Sequence, residues 1–534
     1  MDSAQYTALN WLVLLISRPY VNVAIRLALA ALVLKFAWRV IAPNALKVIS
    51  TVLNAYLSLV HRITSTDGKK SISGPAYSFP NGQMVDKFLA ARARSWEWEK
   101  KYGKTYRIWA GSIPEIVITD PKDVELLYQQ STDHNKAPQA NAGWLLTQIL
   151  GSGLGLINGA RWTVLRKTLD QMFSHRTALQ YFRDSLDSSA EDYLAGISQF
   201  ASADKQAADG KSIVINATQA LQRYPFFEVA SMFFGEMSAG EKERLWDLGR
   251  RYSEVFKAIV SGGIHRSKMT KHFNTKAWKD ARDYQRAWKD FNWEMYRARK
   301  TTAPDTPIVI LTEAAENGEL THDEVTDTIA ESTFANLDIV THVISSCVIL
   351  LADAPSVQDD LLVEINETTE DRQSYIARKD TLLHYCLLES LRLQPVLSFT
   401  FPENPPREKV LGTYIIPKDT TVIVDAFAIN IRNPFWGPDN RAYRPSRFAN
   451  IKQSQLRYNL ATFGYGPRKC LGQHIADKII KSVAYYMFSQ YRVSLQPMQA
   501  IEGAFKVDKT SWVAMYDVDL KLEPRDMSRE KNMS

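Results

Sequence analysis

At 534 residues the chain is long for a single hydrophobic core, yet its length alone does not demand two. Hydrophobic residues make up 45% and charged residues 23%, which supplies enough apolar material for a packed globule and excludes charge-driven disorder. The formal charge of +7 is spread over 65 basic and 58 acidic residues, so no basic tract points to nucleic acid; Cys347, Cys386 and Cys470 lie too far apart for a disulfide scaffold or a zinc site and fit a reducing compartment.

From Ala8 to Ala42 the sequence is mostly apolar, interrupted by Arg18, Arg26, Lys35 and Arg39. A membrane-spanning helix needs about 20 apolar residues and lets charges near its ends reach the headgroups. Residues 1–42 are therefore read as an uncleaved membrane anchor, with a helix lying in the interface as the alternative. Residues 43–80 comprise an amphipathic stretch from Asn44 to Val60 and a polar linker, Thr64 to Gly74, ahead of Pro75 and Pro80. The folded unit is expected over 81–525, with a polar tail at 526–534.

Gly151-Ser152-Gly153-Leu154-Gly155 is not a dinucleotide loop, because Leu156 stands where a third glycine would be needed and no βαβ context follows. Trp162 and Arg166, four residues apart, share a helical face. Tyr284, Trp288 and Phe291 recur at helical spacing and are assigned to core packing. Thr321 and Glu324 form a capping box, and the apolar pattern then runs to Ala354 before Pro355, a helix of about 30 residues or on the order of 45 Å. On it, Asp338 and His342 share one face, a spacing that suits a proton relay; the alternative is a polar pair bridging to neighbouring helices.

Glu389 and Arg392 are three apart on a helix ending before Pro395, and Tyr443-Arg444-Pro445-Ser446-Arg447-Phe448 follows. Between them, Ile415 to Val424 reads as a proline turn between short strands. Last comes Phe463-Gly464-Tyr465-Gly466-Pro467-Arg468-Lys469-Cys470-Leu471-Gly472, then a helix-like run from Gln473 to Gln490. Two glycines and a proline make a tight loop, and the helix after it aims its positive end at the sulfur. That placement favours a thiolate, the ligand that donates electron density to a haem iron.

The decapeptide resembles the cytochrome P450 haem-binding pattern F-x-x-G-x-R-x-C-x-G at every fixed position. The resemblance implies a mainly α fold with small β-sheets, the cytochrome P450 fold, behind an N-terminal membrane-anchor helix. It implies heme b with Cys470 as the metal ligand, Arg468 on a propionate and Phe463 packed near the sulfur. It further places Trp162 and Arg166 on a propionate, Ala335 over the haem, and Glu389, Arg392 and Arg447 in a buried charge network. Asp338 and His342 are the candidate catalytic pair. The sequence departs from the family pattern at Asn336 and Ile339, where a glycine and the proton-delivering threonine are usual. It departs again at Pro402, where many relatives carry an arginine and Arg407 is the nearby substitute.

The family layout lines the pocket with 135–157, 331–339 and 396–401, largely apolar, so the expected substrate is a hydrophobic small molecule oxidised with O2. Electrons are expected from NADPH through NADPH-cytochrome P450 reductase, docked on a basic face of Arg161, Lys167, Arg468, Lys469 and Lys478. The pattern resembles membrane-bound fungal secondary-metabolite P450s, placing the protein on the endoplasmic reticulum with its catalytic domain towards the cytosol. Ile339 keeps open a haem-thiolate enzyme of oxidative coupling, ring formation or rearrangement without oxygen insertion. A non-catalytic haem- or ligand-binding membrane protein is the alternative from another class.

Overall fold

The computed structural model describes residues 44–129, 134–202, 211–496, 500–501, 504–508 and 511–525, together with Lys35. The expected anchor, apart from that lysine, and the polar tail lie outside the described residues.

The architecture is mainly α with small sheets, built around one long helix, His322–Ala352. Its start is fixed by a reciprocal cap: Glu324 N–H donates to Thr321 Oγ1 at 3.1 Å, and Thr321 N–H donates to Glu324 Oε2 at 2.7 Å. Every residue from Val340 to Ala352 is buried, so a helix apolar enough to cross a membrane serves here as the central post of the core. Helices Arg223–Phe234, Leu382–Leu393 and Gln473–Gln490 pack against it. Tyr284, Trp288 and Phe291 are buried beside it, with the Trp288 and Phe334 rings 4.9 Å apart.

A five-stranded sheet flanks this core in the order Thr105–Ala110, Ile113–Ile118, Thr421–Val424, Glu403–Asn404, Asn135–Lys136. Only the Ile113–Ile118 and Thr421–Val424 pair is parallel. The two-residue pairing of Asn135–Lys136 with Glu403–Asn404 matters most, because it brings a lysine and a glutamate far apart in sequence to one edge. The C-terminal segment returns through the strand Asp519–Pro524, between Ile213–Asn216 and Tyr491–Leu495.

The segment expected to be a linker is folded. Ile63 and Ile72 are buried and joined by an Ile72 N–H to Ile63 carbonyl bond of 2.9 Å, while Ser65 bridges to Tyr414. Two apolar residues spaced around a polar turn make a small hairpin that docks on the sheet, a signal that composition alone hides. Gly74 lies so close to the Arg107 carbonyl that a Cβ there would overlap it. Gly74→Ala is expected to lower stability by about 1–3 kcal/mol in chemical denaturation; a free linker would tolerate the change without effect.

Candidate functional site

The cysteine loop takes its shape from two left-handed residues, Gly464 (φ 79°) and Gly466 (φ 61°), conformations that a side chain disfavours. They curl the chain so that Cys470 N–H donates to the Phe463 carbonyl at 2.8 Å, closing the loop over the half-buried Phe463 ring. Helix Gln473–Gln490 begins three residues later. The Cys470 side chain is accessible, though densely surrounded at slightly longer range, the condition of a group facing an internal cleft. Burial pushes its thiol pKa up, against the Gly472 N–H and the charges of Arg166 and Lys469. Loop and helix end therefore do not ionise the sulfur unaided; coordination to a metal does that outright.

Around the thiol stand groups from three distant segments. Arg468 donates to the Ile157 carbonyl at 2.9 Å and lies over the Trp162 ring at 4.4 Å, and burial lowers its pKa to about 10. Arg166 donates from Nε to Asp170 at 2.7 Å and from Nη1 to the Lys469 carbonyl at 3.0 Å. Trp162 and Arg166 thus share a helix but not a partner: one supports Arg468, the other the cysteine loop. Arg407 is exposed and does not replace the cation missing at Pro402. That side instead carries Lys136, which donates to Glu403 at 2.6 Å and sits 5.6 Å from the Phe401 ring centre. Burial raises the Glu403 pKa, but Lys136 and His134 outweigh it and hold the carboxyl down at about 2. Sequence reasoning missed Lys136 because it lay in a stretch read as apolar lining; its β pairing to Glu403 is the signal that places it.

Between Glu331 and Ile339 the long helix is half-buried at Glu331, Ser332, Ala335, Asn336, Asp338 and Ile339 and buried at the positions between. These positions share one face, so the helix presents a stripe to an internal space, with Ala335 at its centre. Glu331, at the start of the stripe, acts electrostatically on both Arg468 and Cys470. Asp338 and His342 do not meet. Trp512 Nε1 donates to Asp338 Oδ2 at 2.6 Å, whereas the His342 ring nitrogens lie 2.7 Å from the Ala514 carbonyl and 3.0 Å from that of Gln394. His342, fully enclosed and stacked on Tyr516 at 5.4 Å, bridges the long helix to neighbouring segments, so the relay expected between the two is not made.

Glu389, Arg392 and Arg447 do come together. Arg392 donates to Glu389 at 2.7 and 2.8 Å, and Arg447 donates to it at 3.0 Å. The Arg392 guanidinium also reaches the carbonyls of Asn430 at 3.0 Å and Asn440 at 2.6 Å. This network ties the helix to the segment leading into the cysteine loop, and it touches none of the groups facing the cleft. A surface cleft of about 540 Å³ lined by Glu99, Lys104, Arg432 and Tyr458 is separate and shares none of this chemistry.

An accessible thiol, an accessible helix stripe within its electrostatic reach, and cationic side chains at the rim fit a flat, metal-centred group with a carboxylate edge. The cytochrome P450 sequence profile matches residues 79–511. The chain belongs to the cytochrome P450 family. It is similar to the cytochrome P450 monooxygenase hasH of Aspergillus fumigatus, at 76% identity over 98% of this chain and 96% of that one. It is also similar to the monooxygenase sirC of Leptosphaeria maculans, at 40% identity over 89% and 92% of the two chains. A zebrafish cytochrome P450 structure with progesterone shares the fold, with a TM-score of 0.66 at 17% identity over 82% of this chain and 99% of that one. This P450 is accordingly a haem-thiolate monooxygenase of secondary-metabolite biosynthesis, with a haem iron held by a cysteine thiolate and electrons from a redox partner. The non-catalytic alternative is set aside.

Proposed function

We propose that Cys470 Sγ is the axial ligand, that Arg468 and Lys136 serve the carboxylate edge of the haem, and that an apolar small molecule is oxidised against Ser332, Ala335, Asn336 and Ile339. The observation carrying this reading is the pairing of an accessible thiol with the half-buried face of the long helix between Glu331 and Ile339. When bound, haem supplies the oxygen-activating chemistry. The protein's own contribution is positional. Gly464 and Gly466 set the sulfur, Phe463 covers it, Trp162 supports Arg468, and the Glu389 network fixes the segment behind the loop. Ile339 brings no hydroxyl to the stripe, and the proton-holding group beside it is Asp338, its carboxyl held against the Trp512 N–H and its pKa raised by burial.

Electrons come from NADPH-cytochrome P450 reductase in this reading. The docking face is smaller than the sequence implied. Arg161 is exposed but paired with Glu324 at 2.8 Å, Lys478 is buried on Asp477 at 2.9 Å and Arg468 is half-buried, which leaves Lys167 and Lys469 exposed and, among the described residues, without an ion pair. Helix Asn44–Val60 exposes Leu46, Val48, Ile49, Val52, Tyr56 and Leu59, a surface suited to lipid. Together with the apolar segment at 1–42, it supports attachment to the endoplasmic reticulum with the catalytic domain in the cytosol.

Reconstitution with NADPH, the reductase and isotopically labelled dioxygen tests the reading. One labelled oxygen atom is expected in product and the other in water, with turnover falling as ionic strength rises. Unlabelled product would instead favour coupling or rearrangement without oxygen insertion, the course that Ile339 keeps open, and salt-independent turnover would remove the basic docking face.

A further inference from the structure

The glycine-rich segment that carries no dinucleotide pattern docks on the long helix through its backbone. Ser152 N–H donates to Asp327 Oδ2 at 2.8 Å, Leu154 N–H to Thr328 Oγ1 at 3.2 Å, and Gly155 N–H to Glu331 Oε2 at 2.8 Å. The glycines make this approach possible: a Cβ on Gly155 would overlap Glu331 Oε1, and one on Gly153 would sit 2.9 Å from Oε2. Asp327 and Thr328 already anchor the loop, so the third contact does something further. It holds one carboxylate oxygen of Glu331 and leaves the other free.

Glu331 stands one helical turn before Ala335 on the accessible stripe, and its side chain is only partly buried. Among the described residues no hydrogen bond or ion pair reaches Oε1. The nearby cations are committed elsewhere, Lys136 to Glu403 at 2.6 Å and Arg468 to the Ile157 carbonyl at 2.9 Å. A haem has no use for this oxygen, because its carboxylate edge needs donors and Glu331 offers an acceptor.

We infer that Glu331 is a specificity-determining residue whose Oε1 accepts a hydrogen bond from an N–H group of the substrate, so that the substrate class is nitrogen-bearing apolar small molecules. The inference rests on the haem-thiolate reading of the site. Burial raises the Glu331 carboxyl pKa, and an incoming N–H donor offsets that cost by solvating the carboxylate.

Equilibrium dialysis of the holoenzyme with a phenylpiperidine, the corresponding phenyl-lactam and phenylcyclohexane tests it. Glu331→Leu is expected to weaken binding of both N–H probes by about tenfold or more and to leave phenylcyclohexane unchanged. Glu331→Gln is expected to weaken both N–H probes as well, because its one amide oxygen accepts from Gly155 N–H and its NH2 group then faces the substrate, which separates loss of the substrate contact from loss of the loop contact. Equal weakening of all three probes by Glu331→Leu would show a purely structural role and overturn the inference, as would no change in any of them. The carbon monoxide difference spectrum of each protein, recorded alongside, reports separately on the haem-thiolate reading, which fails on its own if the native protein lacks the thiolate signature.

Discussion

Glu389→Gln is expected to destabilise the folded domain by about 3–5 kcal/mol in urea or thermal denaturation, and to lower the fraction of purified protein that retains haem. The carboxylate is completely buried and neutralises two guanidinium groups at once, those of Arg392 and Arg447, while also accepting the Arg444 N–H at 2.9 Å. A glutamine offers one accepting oxygen in place of two and turns its own N–H groups on a guanidinium. The Arg392 charge then remains in the interior with no carboxylate, solvated by the Asn430 and Asn440 carbonyls, while Arg447 keeps only the part-exposed Asp439 carboxylate at 3.4 Å. An exposed pair at the same spacing contributes about 0–1 kcal/mol, so a loss within that range would show that the network does not hold the segment ahead of the cysteine loop.

Asp338→Asn is expected to lower product formed per NADPH consumed by about 100-fold, the scale of a lost general acid, with NADPH oxidation itself continuing. The carboxyl is fixed by Trp512, and burial raises its pKa while the Trp512 bond and Lys257 oppose that. It therefore stays protonated to higher pH than a solvated aspartate. Coupling in the native protein should fall as pH rises through that raised pKa, and in the asparagine variant this dependence should vanish. His342→Phe, by contrast, should alter stability more than coupling, because both ring nitrogens of His342 face backbone carbonyls. Equal coupling in native and Asp338→Asn proteins would remove Asp338 from proton delivery.

Those two residues also mark where the sequence stopped being readable. The cysteine loop was legible because local chemistry dictates it: glycines at left-handed positions, a proline, and a helix start. The long helix was legible for the same reason, its cap and its apolar run being contiguous. Asp338 and His342 satisfied an equally local rule, four residues apart on one face, and yet they diverge. Their partners, Trp512, Ala514 and Gln394, come from segments that no periodicity connects to the helix. Lys136 was hidden likewise, since its meaning arises only when two-residue strands pair it with Glu403. The hairpin at Ile63 and Ile72 was masked by polar composition, because two buried side chains among charged neighbours carry little sequence signal. The glycines at 153 and 155 carry no dinucleotide pattern, and what they do depends on a carboxylate more than 170 positions away. Long-range pairings of this kind leave no local signal in the sequence.

The central claim is that Cys470 Sγ binds the haem iron, and the reduced protein under carbon monoxide tests it most directly. The native chain should show the strongly red-shifted absorption band of a thiolate-ligated haem. Cys470→Ala should lose that band while its circular dichroism keeps the helical content of the native protein. A Cys470→Ala protein that retains the red-shifted band would contradict the assignment and require another ligand for the iron.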